Sequence, residues 1–313
     1  MLNIGLIGAG RWGRRYIKTL DSMPGARLAR LASRNSESQL LAPSGCAITP
    51  NWYEIAEDSS LDGVIIAVPP SLHAEVAEVA MASGIPVLIE KPMTLSLAEA
   101  QRLVNISEST QSLIIVGHTH LFSEAFRTLK QHAQKLGPLQ KIRSSAGNWG
   151  PCRAGIPMLW DWAPHDIAMC LDMLGTNPSI IFADRTGVEK LPGGEGETVE
   201  IKLNFSSGVQ ASIRVSNIDE NKSRYFEACF EEGALIYDDL APEKLCMLSC
   251  ASEASTPIAI RDSPPLSNLL TEFFSEIQAG SNKHESLRLG LRVVEILDQC
   301  QTLMPQPIEC QQK

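Results

Sequence analysis

The stretch Leu2-Asn3-Ile4-Gly5-Leu6-Ile7-Gly8-Ala9-Gly10-Arg11-Trp12-Gly13 decides the reading of this chain. A short apolar run enters three glycines spaced Gly-x-Gly-x-x-Gly, and residues 11–20 continue with helical amphipathic spacing. Strand, glycine turn and helix in that order give the motif physical meaning. Gly8 permits a tight turn, Gly10 leaves room for a pyrophosphate against the backbone, and Gly13 lets helix and strand pack closely. The amides of the first helical turn then face phosphate at the positive end of the helix dipole. The sequence therefore predicts a dinucleotide site at Gly8, Ala9, Gly10, Arg11 and Trp12.

Working outward, apolar runs at 26–33, 63–69, 85–90 and 112–117 alternate with helical patterns at 72–83 and 96–110. Runs with little polar alternation suit strands covered on both faces. The repetition predicts a doubly wound parallel sheet, a Rossmann arrangement, over residues 1–120. Ser96 and Glu99 form a capping-box pattern at the start of one helix. After 120 the rhythm changes. Helices are expected at 123–136, 164–174, 267–279 and 286–303, with mostly strands between 179 and 260. Strand after strand implies an antiparallel sheet, and 198–205 with 209–215 reads as a hairpin across Ser206-Ser207-Gly208. The expected architecture is α/β: a Rossmann domain, 1–120, followed by an α+β domain, 121–313, built on a mostly antiparallel open sheet.

The second strand is due to end about 20 residues after the glycines, where an acid binds the ribose 2′-hydroxyl in NAD sites. Here the residues are Ser33 and Arg34, and the first carboxylate is Glu37. Ser33 can donate to a 2′-phosphate, and Arg34 can pair with its charge while stacking on adenine. This favours NADP over NAD, with NAD also admissible. The basic residues Arg11, Arg15 and Lys18 share a helix face and read as a solvated surface.

Glu90-Lys91-Pro92 ends the run 85–90. Ligands of open α/β sheets sit beyond the carboxyl ends of strands, so Lys91 is expected at the mouth of the cofactor cleft. A lysine half-buried beside a nicotinamide loses hydration, which lowers its pKa toward a range useful for proton transfer. Farther on, Trp160-Asp161-Trp162-Ala163-Pro164-His165-Asp166 starts a helix, since Pro164 suits a first turn. The helix dipole there favours a neutral His165 that can accept or donate a proton, and Asp161 can accept from His165 or Lys91.

These pieces together resemble the glucose–fructose oxidoreductase, inositol dehydrogenase and MocA (Gfo/Idh/MocA) family. The resemblance runs over essentially the whole chain: the glycine motif, Pro69-x-x-x-His73, Glu90-Lys91-Pro92 and Asp161-x-x-x-His165. It implies that Val68, Pro69, Leu72 and His73 line the nicotinamide half of the site, with Glu90 and Lys91 bordering the cofactor. It implies catalytic roles for Lys91, Asp161 and His165. It also implies a homodimer or homotetramer joined through the second domain's sheet. The chain departs from the family before Asp161, where Ile156-Pro157 stands in place of paired glycines. Trp149, Trp160 and Trp162 are candidates to stack on a ring, with core packing the alternative.

Composition excludes other classes. A net charge of −9, from 27 basic and 36 acidic side chains, argues against nucleic acid or an anionic membrane as partner. No apolar run approaches the roughly 18 residues of a membrane span. Nothing at the start reads as a removable leader. The eight cysteines are scattered, which suits free thiols in a reducing cytoplasm. His118-Thr119-His120 puts two imidazoles on one expected strand face, but no acid or thiol beside them completes a metal site, and none is expected. The reading is an NADP-dependent oxidoreductase acting on a secondary alcohol or ketone of a sugar, cyclitol or sugar nucleotide. Two alternatives stand beside it: a glycosidase or lyase that oxidises its sugar transiently and keeps its cofactor, and a non-catalytic sensor of nicotinamide nucleotide.

Overall fold

The computed structural model describes residues 1–150, 152–153, 155–191, 194–250 and 255–304. Cα packing groups Met1–Glu124 with Asp262–Val294, and Ala125–Arg261 with the chain from Glu295 onward.

The first unit is built from β1 (Leu2–Ile7), α1 (Arg11–Ser22), β2 (Ala26–Ala32), β3 (Ala47–Thr49), α2 (Tyr53–Ala56), β4 (Gly63–Ile66), α3 (His73–Ala82), β5 (Val87–Glu90), α4 (Leu97–Thr110) and β6 (Ile114–Gly117). Its six strands are all parallel, in the order β3-β2-β1-β4-β5-β6. The order reverses at β1, and the crevice beyond the carboxyl ends of β1 and β4 is where such sheets bind ligands. Strands β4, β5 and β6 are buried at every residue, as their unbroken apolar character requires. Strand β3 escaped the sequence reading because three residues at a sheet edge carry too little pattern. Ser96 caps α4, its hydroxyl accepting from the Glu99 amide at 3.5 Å.

The polypeptide returns to this unit with α8 (Pro265–Gln278), after the strands of the second unit. Leu269, Leu270, Phe273 and Phe274 of α8 join a core that also holds Ile4, Leu6, Tyr16, Leu28 and Ile65. The sequence reading had placed this helix with the second domain because it is contiguous with it. Its apolar face instead fills the flank of the parallel sheet, where Gly63 leaves room for Phe273 and Ile277.

The second unit opens with α5 (Glu124–Ala133), whose first residue still belongs to the first unit, then β7 (Leu139–Trp149), α6 (Met158–Trp162) and α7 (Pro164–Leu174). Strands β8 (Ile180–Leu191), β9 (Gly194–Asn204), β10 (Gln210–Ser216), β11 (Ile218–Phe230), β12 (Gly233–Asp238), β13 (Leu245–Ser249) and β14 (Ser255–Pro257) follow. Helix α9 (Glu285–Leu303) closes the described chain and is divided between the units at residue 294. The eight strands form one sheet, ordered β14-β13-β12-β11-β7-β10-β9-β8. Every pairing is antiparallel except β10 with β7. The hairpin β9–β10 pairs Asn204 with Gln210, and Gly208 takes a φ of +88° in its turn.

One face of this sheet is apolar and covered: Ile142, Ala146, Ile201, Leu203, Ile213 and Val215 are buried, and Phe126 of α5 meets Phe226 edge-on at 5.7 Å. Alternate residues face outward, as the two-residue strand period demands. Edge strand β8 exposes Ile180 and Phe182 on that outer side, before an irregularity between Arg185 and Gly187 reverses the alternation.

Candidate active site

The glycine turn between β1 and α1 is built as its spacing predicts. Gly8 has φ +101°, and a Cβ there would lie 2.5 Å from the Ala67 carbonyl oxygen. A Cβ on Gly13 would lie 2.0 Å from the Gly8 carbonyl oxygen. Gly10 differs: a Cβ there would meet nothing within 4 Å. The first and third glycines are thus demanded by the protein's own packing, and the second faces open space. Gly10 also N-caps α1 without a side-chain hydrogen bond, and the first turn carries no acid. An uncapped helix start beside an open glycine is a cradle for an anion, so the residues fit a dinucleotide pyrophosphate. Ala9 is buried in the turn, Arg11 is exposed, and the Arg15 guanidinium lies 4.7 Å over the ring of Trp12.

At the end of β2, the Ser33 and Ser38 hydroxyls are 2.6 Å apart and Arg34 is exposed. Asn35 caps the short helical turn Ser36–Leu40, accepting from the Glu37 amide. Glu37 itself turns to Arg14 of α1, at 3.3 Å. No carboxylate therefore takes the strand-end position in this loop.

Beyond β4, Val68 and Leu72 are half-buried, Pro69 is exposed and His73 is wholly buried. The His73 ring lies between two carbonyl oxygens, with Nδ1 2.9 Å from that of Pro92 and Nε2 3.0 Å from that of Val68. Burial drives its pKa down to about 4, against the raising effect of those carbonyls. A neutral ring donates from one nitrogen only, so one carbonyl at a time receives its proton. His73 joins the segment after β4 to the segment after β5, and Lys91 precedes the proline it grips.

Lys91 follows the last residue of β5, half-buried. Glu90 pairs in register with Gly117 of β6, so Lys91 and His118 occupy equivalent positions just past neighbouring parallel strands. His118 is 1% exposed, and its pKa falls to about 3, first through burial and then through the Lys91 ammonium. The His118–His120 pair was expected on a strand; β6 instead ends at Gly117, and Thr119–Phe122 forms a 3₁₀ turn. Among the described residues no three His, Cys, Asp or Glu side chains could share a metal ion.

In the second unit, α6 and α7 meet at Ala163, with Pro164 starting α7. His165 and Asp166 are buried in the first turn of α7. Asp166 accepts a hydrogen bond from the Ser144 hydroxyl of β7 and so ties that turn to the sheet. The sequence signal for this anchor is an acid beside His165 in a helix start, and its partner lies 22 residues away on a strand that sequence reasoning had not drawn. Asp161, on α6, accepts from Arg153 at 2.8 Å. It borders a cavity of about 190 Å³ together with Cys152, Arg153, Trp162, Arg185 and Glu197. Arg185 and Glu197 form an ion pair on its wall. Of the three tryptophans, Trp160 is buried, Trp149 is half exposed, and Trp162 lies under the Arg224 guanidinium at 4.7 Å.

Comparison with known proteins places these features. Residues 2–118, which span the parallel sheet, match the GFO_IDH_MocA model, described as an oxidoreductase family with an NAD-binding Rossmann fold. A crystal structure of a protein from Magnetospirillum magnetotacticum MS-1 is 39% identical, with a TM-score of 0.89 over 96% of this chain and 99% of that one. UDP-N-acetylglucosamine 3-dehydrogenase from Acidithiobacillus ferrooxidans is 25% identical over 71% of this chain and 69% of its own length. Inositol 2-dehydrogenase from Rhizobium meliloti is 22% identical over 95% of each. The glycine cradle, the strand-end lysine, the family match over residues 2–118 and the whole-chain likeness to these relatives lead to one conclusion: the chain belongs to the Gfo/Idh/MocA family of nicotinamide-dependent oxidoreductases.

Proposed function

We propose that the protein is an NADP(H)-dependent oxidoreductase acting on a secondary alcohol or ketone of a sugar, cyclitol or sugar-nucleotide-like substrate. The observation that carries this reading is the pairing of an open cradle at Gly10 with Lys91 at the carboxyl end of β5, both on the ligand-binding side of one parallel sheet. When bound, the nicotinamide accepts or gives the hydride. The protein's own share is to hold and protonate. The Lys91 ammonium polarises the reacting oxygen. The His165 imidazole takes its proton in oxidation and returns it in reduction, and Asp161 orients the pair. Val68, Pro69, Leu72 and His73 form the nicotinamide side of the site. The names of two relatives, an inositol and a UDP-N-acetylglucosamine dehydrogenase, support the substrate class.

Preference for NADP rests on Ser33 and Arg34 at the end of β2, where a carboxylate repelling a 2′-phosphate is lacking. The dissociation constants for NADPH and NADH test it: NADPH is expected to bind at least tenfold tighter, the effect of roughly one charge-assisted hydrogen bond. Tighter NADH binding rejects it. The working form in this reading is a homodimer or homotetramer in a reducing cytoplasm. The apolar side chains Ile180 and Phe182 on the outer face of β8 support the assembly, and the free state of the seven described cysteines supports the compartment. Light scattering on Phe182→Glu, expected to yield a smaller particle, tests the assembly.

A further inference from the structure

Glu90 is 4% exposed, and a carboxylate so far from water needs strong partners. It has them on two sides. The hydroxyl of Tyr16, itself wholly buried in the second turn of α1, donates to Oε1 at 2.7 Å. The backbone amide of Lys91 donates to Oε2 at 3.2 Å. Burial, with Glu90 beside it, raises the Tyr16 pKa well above its ordinary value, so the phenol stays a donor. Space for the carboxyl comes from Gly117 of the neighbouring strand, where a Cβ would lie 3.5 Å from Glu90 Cδ. The helix that presents the phosphate cradle and the amide of the strand-end lysine thus bond to the two oxygens of one buried carboxylate.

We infer that Glu90 is a positioning residue: with Tyr16 it fixes the Lys91 backbone relative to α1, and it does not itself bind the cofactor. The inference rests on the reading of Lys91 as a cofactor-facing group. Alternation along β5 agrees with it, since Glu90 and Lys91 point to opposite sides of the strand. Both oxygens of Glu90 are taken by Tyr16 and the Lys91 amide, and only 4% of the residue is exposed.

The test needs no substrate. Lysine labelling by acetic anhydride, followed at single peptides by mass spectrometry, is measured with and without NADPH in wild type, Glu90→Gln and Tyr16→Phe. The NADPH dissociation constant is measured in parallel. Glutamine keeps the shape but replaces one acceptor oxygen by a donor, so it cannot serve both partners. Lys91 is expected to label about threefold faster in Glu90→Gln, as its segment opens locally, and less so in Tyr16→Phe. NADPH affinity is expected to stay within about twofold of wild type, because the Gly10 cradle is untouched. Unchanged Lys91 labelling in both variants overturns the inference, and so does a large loss of NADPH affinity, which would make Glu90 a cofactor ligand or a mere prop for α1. If Glu90→Gln does not fold, Tyr16→Phe decides alone, since it removes one oxygen and leaves the ring. Failure of NADPH to protect Lys91 in wild type instead defeats the reading of Lys91, whatever the variants do.

Discussion

Lys91 and Asp161 are held in opposite ways. The Lys91 segment is flanked by buried groups: Glu90 and Tyr16 on the α1 side, His73 on the Pro92 carbonyl, His118 at the matching position of the next strand. Asp161 is held by Arg153, whose side chain is 37% exposed, at the edge of a cavity lined with further charges. Strand register and buried hydrogen bonds determine the first arrangement, and neither can change without moving the sheet. A short helix and an ion pair partly open to solvent contribute to the second, and pairs open to solvent contribute little stability. In the proposed reading the rigid region carries what every substrate needs, and the adaptable region tells one substrate from another.

The largest effect that could break this comparison is on turnover. Lys91→Ala and His165→Ala are each expected to lower kcat by about 10²–10⁴-fold while NADPH affinity stays within about threefold. Steady-state kinetics with polyol substrates and NADPH titration check it. Wild-type turnover in His165→Ala removes acid–base chemistry from the second unit and leaves the contrast without content.

Next come the glycines. Gly13→Ala forces a Cβ to within 2.0 Å of a backbone oxygen and is expected to unfold or strongly destabilise the protein. Gly10→Ala meets nothing within 4 Å, so it should melt like wild type. It is expected to weaken NADPH binding about tenfold by occupying the space for phosphate. Loss of fold in Gly10→Ala, or unaltered NADPH binding, contradicts the cradle.

A third test is acid stability. His73 and His118 have ordinary pKa values near 6.5 and folded values of about 4 and about 3, in both cases first because of burial. Below pH 6.5 the unfolded chain binds protons that the native rings refuse, so stability falls as pH drops toward 4. At full extent the shifts correspond to about 3 kcal/mol for His73 and about 5 kcal/mol for His118. Thermal melts should show a Tm that declines between pH 6.5 and 4, and His118→Asn should flatten that decline. A pH-independent Tm in this window refutes the neutral, buried state of these rings.

The smallest effect is expected at the adaptable region. Arg153→Ala is predicted to raise KM for the substrate about tenfold, the cost of one lost charged contact near a ligand, with kcat and Tm changed far less. A collapse of kcat matching that of Lys91→Ala shows that Asp161 depends on its guanidinium as rigidly as Lys91 depends on its buried neighbours.

Much of the first unit was legible because its signals are local. The glycine spacing, the apolar runs and Ser96 before Glu99 each act within a few residues. The reading faltered where pattern was short or contacts were remote. Strand β3 has three residues. β7, central in the second sheet, pairs in parallel with a strand some 70 residues later, and no turn signal marks such a partner. The placement of α8 depended on which sheet flank lacked cover. At the site, Lys91, Asp161 and His165 stood out as residue types in motifs. Their supports did not, because Tyr16 meets Glu90 across 74 residues and Ser144 meets Asp166 across 22.

By itself, then, the sequence determined that a parallel Rossmann sheet begins this chain, that its first turn suits a dinucleotide, and which family it belongs to. Those properties follow from backbone sterics at glycine and from hydrophobic period, which neighbouring residues set among themselves. Only the tertiary structure decided that Gly10 alone of the three glycines faces open space, that Glu90 is buried under Tyr16, and that α8 packs on the first sheet. Each of these depends on which surfaces remain uncovered once the strands have paired, and that is a property of the assembled layers and not of any one segment.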